Sequence, residues 1–236
     1  MVELSSEFDL NRDQANNITI MLADDHPLLR QALRNVLETQ TDFKIIAEAS
    51  DGEEAVRRAV ELVPNVVIMD ISMPKLNGLE ATQQIKAKCP SIAILVLTVH
   101  DDSEHILSIL EAGAAGYLTK SVFGEEVIHA VRGVVAGEAV LSASISQQII
   151  KYALRHVVTK RLPLDTVERI TARELEILRL AAMGMSNKDI AQKLDLSERT
   201  VKGYLAEIFS KLNVSSRTEA VITALRSGAL TLDDLK

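Results

Sequence analysis

Between residues 18 and 137 the chain repeats one alternation five times, and no other feature limits its fold as strongly. Short apolar, β-branched runs fall at 18–23, 44–49, 65–69, 92–97 and 115–118. Helical spacing fills the stretches between them. Leu28, Leu29, Ala32, Leu33, Val36 and Leu37 form one apolar stripe. Ile106, Leu107 and Leu110 begin another, and Val127, Ile128, Val131, Val134 and Val135 make a third. Ser50 followed by Glu53 predicts a capping box at the head of the second helix. Strands that are apolar along their whole length must be covered on both faces. The alternation therefore predicts an α/β domain, with a doubly wound, five-stranded parallel sheet between two layers of helices. In such a sheet, ligand chemistry gathers at the C-terminal ends of the strands.

Those ends carry a consistent set of side chains. The first run ends in Asp24-Asp25, the third in Asp70 and the fourth in Thr98, and Lys120 follows the fifth. A single aspartate at a strand end is often only a helix cap. Five such residues at successive strand ends form a constellation. Clustered carboxylates repel one another unless a cation sits among them, and hard oxygen ligands with room for water suit Mg²⁺. A lone lysine acts as a point charge for a phosphoryl group, and the Thr98 hydroxyl can bond a phosphoryl oxygen. Such an assembly can accept a phosphoryl group on one carboxylate and hold the resulting dianion. His26 adjoins the acidic pair and is read as capping or orienting its loop. His100 and His105, five apart, have no carboxylate neighbours that would complete a metal site, and are expected on the surface of the fourth helix.

The segments Ala23-Asp24-Asp25-His26, Val66 to Pro74, Gly78, Thr98 and Gly116-Tyr117-Leu118-Thr119-Lys120 resemble the receiver domain of bacterial two-component response regulators. The resemblance spans residues 18–137. It implies that Asp70 accepts phosphoryl from a sensor histidine kinase. It implies Mg²⁺ held by Asp25, Asp70 and the backbone carbonyl of Ser72, with help from Asp24. Lys120 would pair with the phosphoryl group, and Thr98 and Tyr117 would form a switch pair. The family often has a cis proline after the lysine. Here Ser121 follows, and a cis bond to a non-proline residue costs about 2.5–4 kcal/mol, so a trans peptide is expected.

After Gly137 the pattern changes. Residues 138–167 read as a linker, with a helix expected over 142–158 and Pro163 near its end. From residue 168 to 236 only helical signals occur. Thr171 with Glu174, Ser186 with Asp189 and Ser216 with Glu219 predict three capping boxes. Residues 186–211 read as helix, turn, helix: a first helix from about 187 to 194, a turn at Asp195-Leu196, and Ser197 as the next cap. Val201, Leu205, Ile208 and Leu212 make the buried stripe of the second helix. Its opposite face carries Arg199, Lys202, Gly203, Ala206 and Ser210. Two cations among small residues allow the close approach that a recognition helix needs in a major groove. Thr200 lies in the same segment, and Lys188 and Arg217 are candidate phosphate contacts. A protein-binding helical bundle with a solvated basic face would show the same spacing.

Thr171 to Glu174, Gly184 to Ala191, Ser197 to Lys202 and Lys211 to Val214 are similar to the LuxR-type helix-turn-helix. With a receiver ahead of it, this resembles the NarL/FixJ subfamily of response regulators. The resemblance implies binding to double-stranded DNA, and a last helix, near residues 219–227, able to form a homodimer. Tyr204 stands where the family usually has histidine. Gly203 costs about 1 kcal/mol in a helix interior relative to alanine. Small residues at 203 and 206 leave few side chains to read bases, which gives DNA shape more weight.

Charge agrees with this division. Residues 1–160 hold 22 acidic and 14 basic side chains, whereas residues 161–236 hold 11 and 12. Only the second part tolerates a polyanion well. Residues 1–17 lack apolar periodicity and are expected to be disordered. One cysteine, Cys89, excludes an internal disulfide framework and fits a reducing cytosol. No apolar run approaches a membrane span, and the first residues are polar and acidic, so a cytoplasmic protein is expected. No GxGxxG, GxxxxGK[ST] or GxSxG is present, leaving nucleotide binding and serine hydrolysis without motif support. An aspartyl phosphatase would want a carboxylate two residues after Asp70, where Ser72 stands. The sequence thus reads as a phosphorylation-controlled transcription regulator rather than a dedicated enzyme. Two alternatives stand beside it: a regulator that binds DNA without phosphorylation, and a metal-dependent phosphohydrolase.

Overall fold

The computed structural model describes residues 17–98, 103–122, 124–141 and 170–231. The sequence readings for residues 1–16, for His100 and for the helix over 142–158 lie outside them. Strands β1 (Ile18–Ala23), β2 (Phe43–Ala49), β3 (Val66–Met69), β4 (Ala93–Thr98), β5 (Gly116–Thr119) and β6 (Val140–Leu141) form one parallel sheet in the order β2-β1-β3-β4-β5-β6. The sixth strand adds two residues to the expected five, too few for a periodic signal.

Helices α1 (Pro27–Leu37), α2 (Gly52–Leu62), α3 (Gly78–Lys88), α4 (Ser103–Glu111) and α5 (Glu125–Ala136) connect the strands. Each sheet face has its own apolar layer. Met21, Val67, Ile94 and Val96 lie in a cluster with Ala55, Ile85, Ile106 and Leu110. Ile20, Leu22, Ile68 and Leu95 lie in another with Leu33, Leu37, Val127 and Val131. Two local readings shift. Leu28 is 88% exposed, because the core face of α1 runs through Leu29, Leu33, Val36 and Leu37 and Leu28 points away from that row. The cap of α2 is Asp51, whose side chain accepts from Glu54 N–H, while the Glu54 carboxylate reaches back to Ser50.

Four further helices form the second domain: α6 (Ala172–Ala182), α7 (Asn187–Leu194), α8 (Glu198–Leu212) and α9 (Arg217–Ser227). Two capping boxes are complete, Thr171 with Glu174 and Ser186 with Asp189. The third is half formed: Ser216 caps α9 through Glu219 N–H, but the Glu219 carboxylate accepts from Ser215 instead. Asp195, in the left-handed region at φ 54°, ends α7 and turns the chain into α8. Val201, Leu205, Ile208 and Leu212 are all buried, in a core with Ile177, Leu178 and Ile190.

The two domains touch through α9. Ile222, 7% exposed, enters the receiver cluster that holds Ile106, Leu107 and Leu110 of α4. Arg226 pairs with Glu111 at the end of α4. Ser216 Oγ donates to the Ala114 carbonyl at 3.3 Å, and Asn187 Nδ2 to the Ala136 carbonyl at 2.9 Å.

Candidate functional site

Parallel register assembles the acidic site. Ala23 pairs with Met69 across β1 and β3, so Asp24 and Asp70 leave the sheet side by side. Thr98 pairs with Thr119 across β4 and β5, which sets Lys120 one residue beyond. Asp24 and Asp70 are 3% and 2% exposed. The Lys120 ammonium bridges them, 2.7 Å from Asp24 Oδ2 and 2.9 Å from Asp70 Oδ2. Burial alone would lower the Lys120 pKa, but the two carboxylates outweigh it and hold the group above its usual value. The other Asp24 oxygen accepts from the His26 backbone N–H at 2.8 Å.

His26, read from the sequence as capping or orienting its loop, packs against the acidic pair. Its ring makes no cap bond to α1. Nδ1 lies 2.7 Å from Asp25 Oδ1 and 3.2 Å from Asp24 Oδ1. Ligand atoms of Asp24, Asp25, His26 and Asp70 all lie within 4.8 Å of one another. Asp25 Oδ1 and both Asp70 carboxylate oxygens are buried, and among the described residues their close polar neighbours are the Lys120 ammonium beside Asp70 and the His26 imidazole beside Asp25. Carboxylate oxygens of Asp24, Asp25 and Asp70 gathered within 4.8 Å of one another fit a hard divalent cation.

Ser72 is exposed in the loop after β3, two residues beyond Asp70. Thr98 occupies the last position of β4. Tyr117 is fully enclosed in the apolar cluster beneath the site. Every described peptide bond is trans, that of Ser121 included.

In the second domain the outer face of α8 is open. Arg199, Thr200, Lys202, Gly203 and Ala206 are exposed, as is Lys188 on α7. A methyl group added to Gly203 would meet nothing within 4 Å. Lys202 rests against Glu198 at 3.2 Å, one turn earlier on the same helix. Arg217 is placed differently from expectation. It is 5% exposed and donates to Asn187 Oδ1 and the Met185 carbonyl, tying α9 to the start of α7. Burial lowers its pKa to about 10. Its guanidinium is held by these internal partners rather than presented at the surface. Among the described residues no helix is long and apolar enough to cross a membrane.

Comparison with known proteins agrees with this division. Residues 20–132 match the response regulator receiver domain, and residues 168–224 match the luxR family of bacterial regulatory proteins. The transcriptional regulatory protein LiaR of Bacillus subtilis is 41% identical over 210 residues, covering 89% of this chain and 98% of its own. DegU of Brevibacillus brevis, also a transcriptional regulatory protein, is 36% identical over 227 residues, covering 90% and 95%. A solved structure of two RcsB dimers bound to two parallel DNAs superposes with a TM-score of 0.53 at 26% identity, covering 90% of this chain and 99% of that one. With its receiver sheet, its LuxR-type helices and full-length relatives of this kind, the chain belongs to the NarL/FixJ response regulators, transcription regulators of two-component systems.

Proposed function

We propose that Asp70 accepts a phosphoryl group from a sensor histidine kinase, and that this modification controls how the second domain engages double-stranded DNA in the cytoplasm. The observation that carries the reading is the Asp70 carboxylate, buried among the carboxylates of Asp24 and Asp25 and paired with the Lys120 ammonium at 2.9 Å. In the transfer, a carboxylate oxygen attacks phosphorus, the phosphorus–nitrogen bond to the kinase histidine breaks, and that imidazole regains a proton. Mg²⁺, when bound, neutralises charge on the transferred oxygens. Asp25 and Asp70 would hold it with the Ser72 carbonyl, and Asp24 would assist. Lys120 remains as the fixed counter-charge, and Thr98 supplies a hydroxyl from β4.

Phosphorylation shifts an equilibrium between existing states. Thr98 and Tyr117 lie on the two strands next to α4, and α4 is the element on which α9 docks. Rearrangement there would free α9 for pairing with a second copy. Arg199, Thr200, Lys202, Gly203 and Ala206 form the groove-facing surface, with Lys188 toward phosphate. One observation favours the phosphorylation-independent reading for single sites: the outer face of α8 is open while α9 is docked. A small phosphodonor with Mg²⁺ should label the wild-type chain and leave Asp70→Asn unlabelled, and labelling should strengthen binding to a two-site operator. Normal labelling of Asp70→Asn would refute the assignment of the acceptor.

A further inference from the structure

The loop from Asp70 to Gly78 carries the proposed acceptor at its root and Ser72 beside it. Two glycines grip this loop from different sides. At the root, a methyl group on Gly78 would lie 2.1 Å from the Asp70 carbonyl oxygen, and Gly78 N–H donates to the Ile71 carbonyl at 2.8 Å. At the tip, a methyl group on Gly52, the first residue of α2, would lie 1.9 Å from the Leu76 carbonyl oxygen and 2.6 Å from its carbon. Both obstacles are backbone atoms, so neither clash can be relieved by turning a side chain.

Asp51 joins the same contact. One oxygen caps α2 by accepting Glu54 N–H at 2.8 Å, and the other accepts the Lys75 ammonium at 2.6 Å. Lys75 sits at the loop tip with φ 65°, a left-handed conformation that non-glycine residues seldom adopt. The Asp51 pKa is lowered, chiefly by Lys75 and then by the backbone N–H of Glu54. A turn that ends one strand and starts one helix is thus fastened to the tip of a different loop.

We propose that Asp51 and Gly52 are positioning residues for the phosphoacceptor loop, fastening its tip through Lys75 and Leu76 so that the backbone after Asp70 is preset for Mg²⁺. The inference rests on Asp70 being the acceptor. Neither residue touches the reacting atoms. They act by removing freedom from the loop before metal or phosphodonor arrives, which is where preorganisation gains its effect.

Asp51→Asn separates this role from helix capping. Asparagine caps a helix as well as aspartate does, but its one acceptor oxygen is used by the cap, and its amide group would face the Lys75 ammonium as a donor. Asp51→Asn should lower the melting temperature only slightly, because Lys75 is largely exposed and the cap is kept. It should speed hydrogen exchange at the Leu76 and Gly78 amides about tenfold in metal-free protein, and weaken Mg²⁺ binding several-fold by calorimetry without phosphodonor. Lys75→Met should reproduce both effects. Gly52→Ala should exceed them. Wild-type exchange and Mg²⁺ affinity in both Asp51→Asn and Lys75→Met would overturn the proposal. So would a loss confined to melting temperature. Labelling of Asp70→Asn run in parallel tests the acceptor separately: a labelled Asp70→Asn removes the acceptor reading, whereas an unlabelled one with unaltered loop variants removes only the clamp.

Discussion

Ile222→Ala should undock the two domains while leaving each folded. The side chain is 7% exposed and belongs to the receiver cluster around α4, whereas the helical core of the second domain is built from other residues. Truncation removes three carbons, and at about 0.8 kcal/mol per buried carbon the docked state loses roughly 2.4 kcal/mol. Because 1.4 kcal/mol is a factor of ten, the docking equilibrium shifts by about fiftyfold. The other ties, the Ser216 and Asn187 hydrogen bonds to the Ala114 and Ala136 carbonyls and the Arg226–Glu111 pair, are unchanged by the substitution and do not offset the loss. The Arg226–Glu111 pair is half exposed on the arginine side and is worth at most about 1 kcal/mol. Hydrogen exchange on the full chain is the assay. Amides of α4 and α9 should lose protection together, while those of β1, β3 and α6 keep theirs. Dimerisation is not the readout, since the same substitution alters any surface that α9 offers a second copy. Unchanged protection of α4, with a lowered melting temperature of the second domain, would show that Ile222 serves the helical core and would refute the argument.

Lys202→Ala should weaken operator binding in a folded protein. A loss of about 1–3 kcal/mol confined to particular base positions marks base reading, whereas an even loss with a shallower salt dependence marks phosphate contact; competition binding at two salt concentrations tells them apart. Lys211→Met should destabilise the second domain by about 3 kcal/mol at pH 7, because it strands the buried Glu174 carboxylate, which Lys211 now meets at 2.6 and 2.7 Å. Burial alone would raise the Glu174 pKa, but Lys211 and the Thr171 N–H outweigh it and hold it below its usual value. Its contribution to stability is therefore complete above the unfolded pKa, about 4.3, and is lost as pH falls through the lower folded value. The cost of Lys211→Met should shrink when melting is repeated near pH 3, and an equal cost at both pH values would contradict the ion-pair account.

The sheet was legible because its inner strands are apolar on both faces, and the acidic site because parallel register delivers successive strand ends to one edge. What escaped the sequence was tertiary in origin. Ser50 and Asp51 are both good caps, each with a glutamate three residues on, and the choice falls to Asp51, which also holds Lys75. Arg217 looked like a surface cation because sequence cannot show that Asn187 and the Met185 carbonyl wait for it inside. His26 carried a weak signal, its place directly after two aspartates, but its ring position depends on how α1 leaves β1. The surface of α8 was readable from a single stripe, since the residues opposite a buried row at helical spacing must be outside. Docking of α9 on α4 had no local signature at all.

That docking sets the concentration at which two copies can pair. If α9 is the helix that pairs two copies, each chain must release its receiver before it can pair, and the requirement enters the dimer equilibrium once per chain. A binding-competent fraction f weakens an ordinary ligand's apparent affinity by 1/f, but a symmetric dimer by its square. With about one chain in ten undocked, dimerisation would be held back about a hundredfold, and a tenfold rise in the undocked fraction would return all of it. A modest bias at one carboxylate is thereby squared before it reaches DNA.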